Sequence, residues 1–184
     1  MRPRNAAATR EAILESALGA FTRAGYDGVG VREIAQAAGV TAMLVNRYFG
    51  SKEGLFAEVV DAAMADRTVL TSDPATLASD VAAALVARTA PDAERLGPFL
   101  LMLRSAANPR AAAILRAGIE RHVEKHLTDV LPATAGTEGP ALALSVIAGF
   151  WLMRTLIGST ELARADEDVL RRKLEKVFAA LLAE

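Results

Sequence analysis

Val31, Ile34, Ala35 and Ala38 recur at i, i+3, i+4 and i+7, the apolar stripe of one short helix, and Gly39 follows at once. A glycine there ends the helix, because the left-handed stop conformation is cheap only without a Cβ. Val40 and Val45 then anchor a second short helix that opens at Thr41, a residue suited to N-capping. Two helices crossing steeply at close range leave room for the Ala35 methyl and little more. The spacing of Ala35, Gly39 and Val45 is therefore a packing solution that leaves the far face of the second helix free. This is the pattern of a helix-turn-helix, in which a short, rigidly held helix enters a DNA major groove.

From Ala8 to Val60 the chain reads ATREAILESALGAFTRAGYDGVGVREIAQAAGVTAMLVNRYFGSKEGLFAEVV, which resembles the N-terminal domain of the TetR/AcrR family of one-component repressors. The likeness rests on Phe21-Thr22-Arg23-Ala24-Gly25-Tyr26, on Ile34 to Val40, and on Tyr48-Phe49-Gly50-Ser51-Lys52-Glu53-Gly54-Leu55-Phe56. The remainder is similar to the family only as a run of helices. The resemblance implies an all-α chain in two parts. Residues 1–52 would form a three-helix DNA-binding domain with the helix-turn-helix, and residues 53–184 a helical ligand-binding and dimerisation domain. It also implies a homodimer on a roughly palindromic DNA operator, acting as a transcriptional repressor that a small-molecule effector releases.

Composition agrees with that class. The 184 residues suffice for a real core; 52% apolar and 5% aromatic content favours helix, and no sustained run alternates with the period of a strand. With no cysteine, disulfides, thiolate zinc sites and cysteine nucleophiles are excluded. The net charge of −1 hides an asymmetry: residues 1–52 hold seven basic and four acidic side chains, and the rest 14 basic and 18 acidic. Positive charge thus lies where phosphates would be met. Met1-Arg2-Pro3-Arg4 leads into no apolar segment, so no secretion signal is expected, and the cytoplasm is the expected compartment. No serine-nucleophile motif, phosphate loop or carboxylate pair beside a histidine points to an enzyme, and no cofactor or metal is expected.

About nine helices can be placed. The first runs from about Ala6 to Ala24, and a fourth opens at Ser51 as N-cap, with Gly54 where a capping box would want Glu. Three more are expected over Ala75 to Ala90, Pro91 to Ala107 and Pro109 to Leu131, followed by a connector from Pro132 to Pro140. Two long helices close the chain, Ala141 to about Gly158 and Asp166 to Leu182. The run from Ala141 to Met153 is too short to cross a bilayer and, apolar nearly all round, is expected to be buried on more than one side. The family resemblance makes these last two helices the halves of a dimeric four-helix bundle.

The outward positions of the second motif helix are Thr41, Ala42, Met43, Asn46 and Arg47, with Tyr48 beside them. Arg47 can bind guanine bidentately, Asn46 can bind adenine, and Ala42 or Met43 can meet a thymine methyl. Arg32 and Lys52 stand at helix N-termini, where phosphate is favoured, and Arg2 and Arg4 form a short arm for the backbone or minor groove. The sequence departs from the family it resembles at this surface. Family members usually carry lysine at the position of Ala42, glycine at Met43, threonine at Leu44 and tyrosine at Asn46, so their operator cannot be transferred.

His122 and His126 lie at i, i+4, a spacing that can hold a divalent metal, but Glu124 falls at i+2 and points away from both. No hydrolytic base is placed. Phe99, Met102, Leu103 and Arg104 with Trp151 can line a pocket for a small anionic or amphipathic ligand, and core packing accounts for most of them equally well. A ligand-independent architectural DNA-binding dimer is the alternative to a ligand-released repressor, because no residue in the second part carries a definite chemical signature.

Overall fold

The computed structural model describes residues 3–65, 73–90, 97–125 and 138–182. These form ten α-helices and no strand. Helices α1 (Pro3–Ala24), α2 (Val31–Ala37), α3 (Ala42–Phe49) and α4 (Lys52–Ala65) come first. Next are α5 (Pro74–Arg88), α6 (Gly97–Ser105) and α7 (Pro109–Ile119), the last continuing as a π-helical turn, Glu120–Glu124. Helix α8 (Glu138–Trp151) continues as a second π-helical turn, Leu152–Leu156, before α9 (Thr160–Arg164) and α10 (Glu167–Leu182). Two compact units emerge, Met1–Arg67 with Leu96–Val123 and Thr68–Arg95 with Glu124–Glu184.

The first unit is built on aromatic packing. The ring of Phe56 stands edge-on to Phe21 and to Tyr26, each at 5.0 Å between centroids, an arrangement that aligns ring edges with ring faces. Ile13, Ile34, Leu55, Val59 and Val60 close around them, all at most 1% exposed. Helix α6 packs on α1, and α7 on α4. The α4–α7 contact is close because Gly118 has no side chain: a Cβ there would lie 2.6 Å from Val60 Cγ1.

In the second unit α10 lies along α5 and also meets α8. Leu170, Leu174, Phe178 and Leu182 form its buried edge. Arg154, in the π-helical turn, is buried and donates from Nη1 to Val86 O (3.0 Å) and Thr89 Oγ1 (2.9 Å), and from Nη2 to Glu167 Oε1 (3.2 Å). It thereby adds a charged donor to a carbonyl at the end of α5, where the helix dipole favours a cation.

Several expectations need correction. Helix α8 begins at Glu138, so Gly139 and Pro140 belong to its first turn and not to a connector. Proline is tolerated there because first-turn N–H groups have no intrahelical acceptor. The helix with its π-helical turn spans Glu138–Leu156 and is, by length and composition, long and apolar enough to cross a membrane. Among the described residues it is not buried on several sides: Leu142, Met153 and Leu156 are 43–49% exposed, and the capping residue Ile157 is 64% exposed. Helix α9, five residues long, was not expected, being too short to show a helical period. Helix α1 starts at Pro3, which places Arg4 in its first turn instead of an arm. Arg2, His126, the segment Pro91 to Leu96 and most of the expected connector lie outside the described residues.

Candidate nucleic-acid interface

The turn between α2 and α3 is closed by the backbone. Gly39 has φ +68°, its N–H donates to Gln36 O at 3.1 Å, and Val40 N–H donates to Ala35 O at 2.9 Å. Ala35 and Val45 are each 1% exposed and belong to the same apolar core. The Thr41 hydroxyl accepts from Leu44 N–H at 3.3 Å and so caps α3. Ser51 Oγ accepts from Gly54 N–H at 3.1 Å and caps α4 in the same way. Glycine at 54 is explained by the tight α3–α4 corner, where a Cβ would lie 2.1 Å from Phe49 O.

Met43, Asn46, Arg47 and Gly50 are the exposed positions of α3 and its cap, a stripe at i, i+3, i+4 and i+7. Met43 is 80% exposed, an unusual position for a long apolar side chain. Ala42 and Tyr48 are half-buried and pack in part against the core, so the outward stripe is narrower than the sequence suggested. Thr41 is exposed, with its hydroxyl engaged in the cap. Arg32 is exposed in the first turn of α2. Among the described residues neither Arg32 nor Arg47 forms an ion pair, which leaves both guanidinium groups available.

Lys52 is half-buried at the start of α4, with Nζ 4.5 Å from the centroid of the Tyr26 ring. That cation–π contact pins the ammonium at the edge of the unit. The Tyr26 phenol is raised above its ordinary value of 10.0, first by burial and then by the Glu53 carboxylate, to which it is hydrogen-bonded. Glu53 is held below the usual carboxylate range by its own backbone N–H, then by the Ser51 hydroxyl and by Tyr26. Arg10 was missed by the sequence reading. It pairs with Glu58 of α4 and sets its guanidinium 5.2 Å from the Phe49 ring centroid, bracing the end of α3 from α1. Nothing in the local pattern around residue 10 marks it, because both partners are distant in sequence.

The other candidates are dispersed. On α6, Phe99 and Met102 are half-buried and Leu103 is 41% exposed, all in the first unit; Trp151 is buried in the second. Arg104 Nη1 donates to Thr22 O (2.7 Å) and Arg23 O (2.8 Å) at the end of α1. His122 Nε2 lies 3.0 Å from Asp61 Oδ1, an oxygen that also accepts from Arg121 Nη1 at 2.5 Å. Among the described residues no group of three or more metal-binding side chains occurs.

Comparison with known proteins falls on both parts of the chain. Residues 13–59 match the family described as bacterial regulatory proteins, tetR family, and residues 75–182 match the tetracyclin repressor-like C-terminal domain. The HTH-type transcriptional regulatory protein RaaS of Mycobacterium tuberculosis is 60% identical over 43 residues, a stretch covering 23% of this chain and 20% of that protein. Among solved structures, the multidrug binding protein EbrR complexed with ethidium aligns at TM-score 0.68 and 20% identity, covering 96% of this chain and 99% of that one. GusR of Salmonella enterica aligns at TM-score 0.67 and 17% identity, covering 99% and 97%. A TetR-family regulator from Streptomyces coelicolor A3 aligns at TM-score 0.56 and 24% identity over 100% and 99%.

Proposed function

The chain belongs to the TetR family of bacterial transcription regulators, and from that premise we propose that it is a repressor released from its operator by a small molecule. Members of this family are DNA-binding regulators and not enzymes. The observation that carries the DNA side is the exposed stripe of Met43, Asn46 and Arg47 on a helix whose opposite face is locked by Val45 and Phe49. Rigid support matters because base readout requires side chains to arrive at base edges in fixed register. Arg47 and Asn46 read base edges, Met43 and the edge residue Ala42 meet thymine methyls, and Thr41, Tyr48, Arg32, Lys52, Arg4 and Arg2 contact the backbone.

Two copies join through α8 and α10, and the support is the exposed apolar set Leu142, Met153, Leu156 and Ile157, with Val169 and Val177 on α10. The two heads then meet half-sites one helical turn apart, or a multiple of it, on a roughly palindromic operator. Functionally the DNA-binding part is residues 1–52, and residues 53–184 serve the effector and the dimer. The multidrug binding protein EbrR is complexed with a small molecule, ethidium, and its likeness in fold favours an effector site in the present chain too. Phe99, Met102 and Leu103 of α6 are the side chains proposed to meet it; Trp151 is a separate candidate in the second unit. To empty a nearly full operator, the effector must favour the released state by about 10⁴-fold, or about 5.5 kcal/mol. The protein works in the bacterial cytoplasm, where its DNA is.

The test is to map genomic binding sites, then titrate metabolites against the protein bound to its own operator. A compound that lowers operator affinity and binds the free protein is the expected result. Tight operator binding that no compound changes would overturn release by ligand and favour an architectural dimer.

A further inference from the structure

The corner between α6 and α7, residues 104–110, is joined to the chain on both sides of the helix-turn-helix. On the approach side, Arg104 donates to the last-turn carbonyls Thr22 O and Arg23 O of α1, at 2.7 and 2.8 Å. Those are acceptors that a helix end leaves without intrahelical partners. The buried backbone N–H of Tyr26 donates to Ser105 Oγ at 3.0 Å. Asn108 Nδ2 donates to the Asp27 carboxylate, at 2.8 Å to Oδ1 and 3.1 Å to Oδ2. On the exit side, Arg110 Nη1 pairs with Glu53 Oε1 at 3.3 Å, in the first turn of α4. The backbones themselves touch: a Cβ on Gly25 would lie 2.4 Å from Arg104 O.

We infer that Arg104, Ser105 and Asn108 are positioning residues for DNA recognition, fixing the direction in which α3 is presented. Apolar packing of α6 on α1 lets the two surfaces slide, whereas directional hydrogen bonds specify an angle. Asn108 is the clearest case. Its Oδ1 accepts from Arg110 N–H (2.9 Å) and Ala111 N–H (3.1 Å) as the N-cap of α7, so the amide plane is set before Nδ2 reaches Asp27. A helix cap is thereby converted into a bracket on the turn that leads into α2. The corner belongs to the same compact unit as α1 to α4, so the bracket acts within one body. It deepens the proposed DNA-binding role of α3 and does not depend on dimerisation or on an effector.

Asn108→Asp separates bracket from cap in the full-length chain. The aspartate keeps the capping oxygen, loses the Nδ2 donor and sets a carboxylate against Asp27. Adding Asp27→Asn returns a donor–acceptor pair. Because the chain has no cysteine, spin labels at Gln36→Cys and Ala113→Cys, both exposed positions, report the α2–α7 distance directly. Labelled protein diluted with unlabelled protein isolates the distance within one chain. The expected result is a narrow distance distribution that broadens in Asn108→Asp and narrows again in the double variant. Cognate operator affinity should fall about tenfold, the scale of one or two lost hydrogen bonds, and recover in the double variant, while random DNA is bound within about twofold throughout. An unchanged distribution, an equal fall on cognate and random DNA, or no recovery on adding Asp27→Asn would overturn the inference. A failure of α3 as the reading helix would look different, because label distances would still respond while Arg47→Ala left base preference intact.

Discussion

In α4, Leu55, Phe56, Val59 and Val60 are all at most 1% exposed, whereas in α8, the π-helical turn after it and its cap, Leu142, Met153, Leu156 and Ile157 are 43–64% exposed. Both are apolar helices. The first is enclosed by α1 and α7 within its own unit, and the second has one side covered and another bare. A helix that is apolar nearly all round needs partners on more than one side. Among the described residues α4 finds them, whereas α8 keeps apolar side chains exposed. The head is thus a finished core that presents a narrow stripe of Met43, Asn46 and Arg47, while the second unit presents an apolar one. The first is the surface proposed above to meet nucleic acid, and the second the one proposed to meet a second copy of the chain.

The comparison can be broken most severely in the finished core. Phe56→Ala removes the ring that both Phe21 and Tyr26 meet edge-on, and it should cost about 3–5 kcal/mol of folding stability, read by urea unfolding. A loss under about 1 kcal/mol would mean that the head is loosely packed. The bare face predicts the next effect. Ile157 is 64% exposed, so Ile157→Glu should leave the fold intact but weaken self-association by about 30-fold, or about 2 kcal/mol, in sedimentation experiments. An unchanged association constant would put the interface elsewhere.

Arg47→Ala addresses the stripe on α3, with an expected cost of about 1–3 kcal/mol on the cognate operator and relaxed preference at one base pair per half-site. Lys52→Ala should instead weaken cognate and random duplex alike and lower the salt slope by about one counterion per head. If Arg47→Ala lowers both affinities equally, Arg47 is a backbone contact and specificity passes to Asn46 and Met43.

The smallest effect is on pH dependence. Burial and Glu53 raise the Tyr26 phenol above 10.0, so its protonated form is favoured by folding. That contribution is whole below pH 10.0 and is lost as pH rises through the raised value. Tyr26→Phe should therefore lose less stability than the parent chain in melts taken above pH 10. Parallel alkaline curves would show that the phenol titrates alike in both states.

Much of the head could be read from the order of residues. Thr41 and Ser51 cap their helices and Gly39 turns the chain, all through interactions within a few positions. The reading face was less clear, because an outward position on a helical wheel says nothing about what other helices bring to its margin. Ala42 is outward by wheel, with Tyr48 beside the outward set, and yet both pack in part against the core. By sequence Gly54 makes an imperfect capping box, and the α3–α4 corner explains it.

Arg104 marks the division most sharply. Beside Met102 and Leu103 it looks like a charge lining an apolar pocket, and its actual acceptor, Thr22 O, is 82 positions away. Sequence alone determined where the helices of the head are capped and where the chain turns between them, because capping, glycine stops and apolar periodicity act within one or two helical turns. The tertiary structure decided which side of α8 is covered, what Arg10 and Arg104 hold, and how wide the stripe on α3 is. Those outcomes depend on contacts between segments far apart in the chain, which no local pattern encodes.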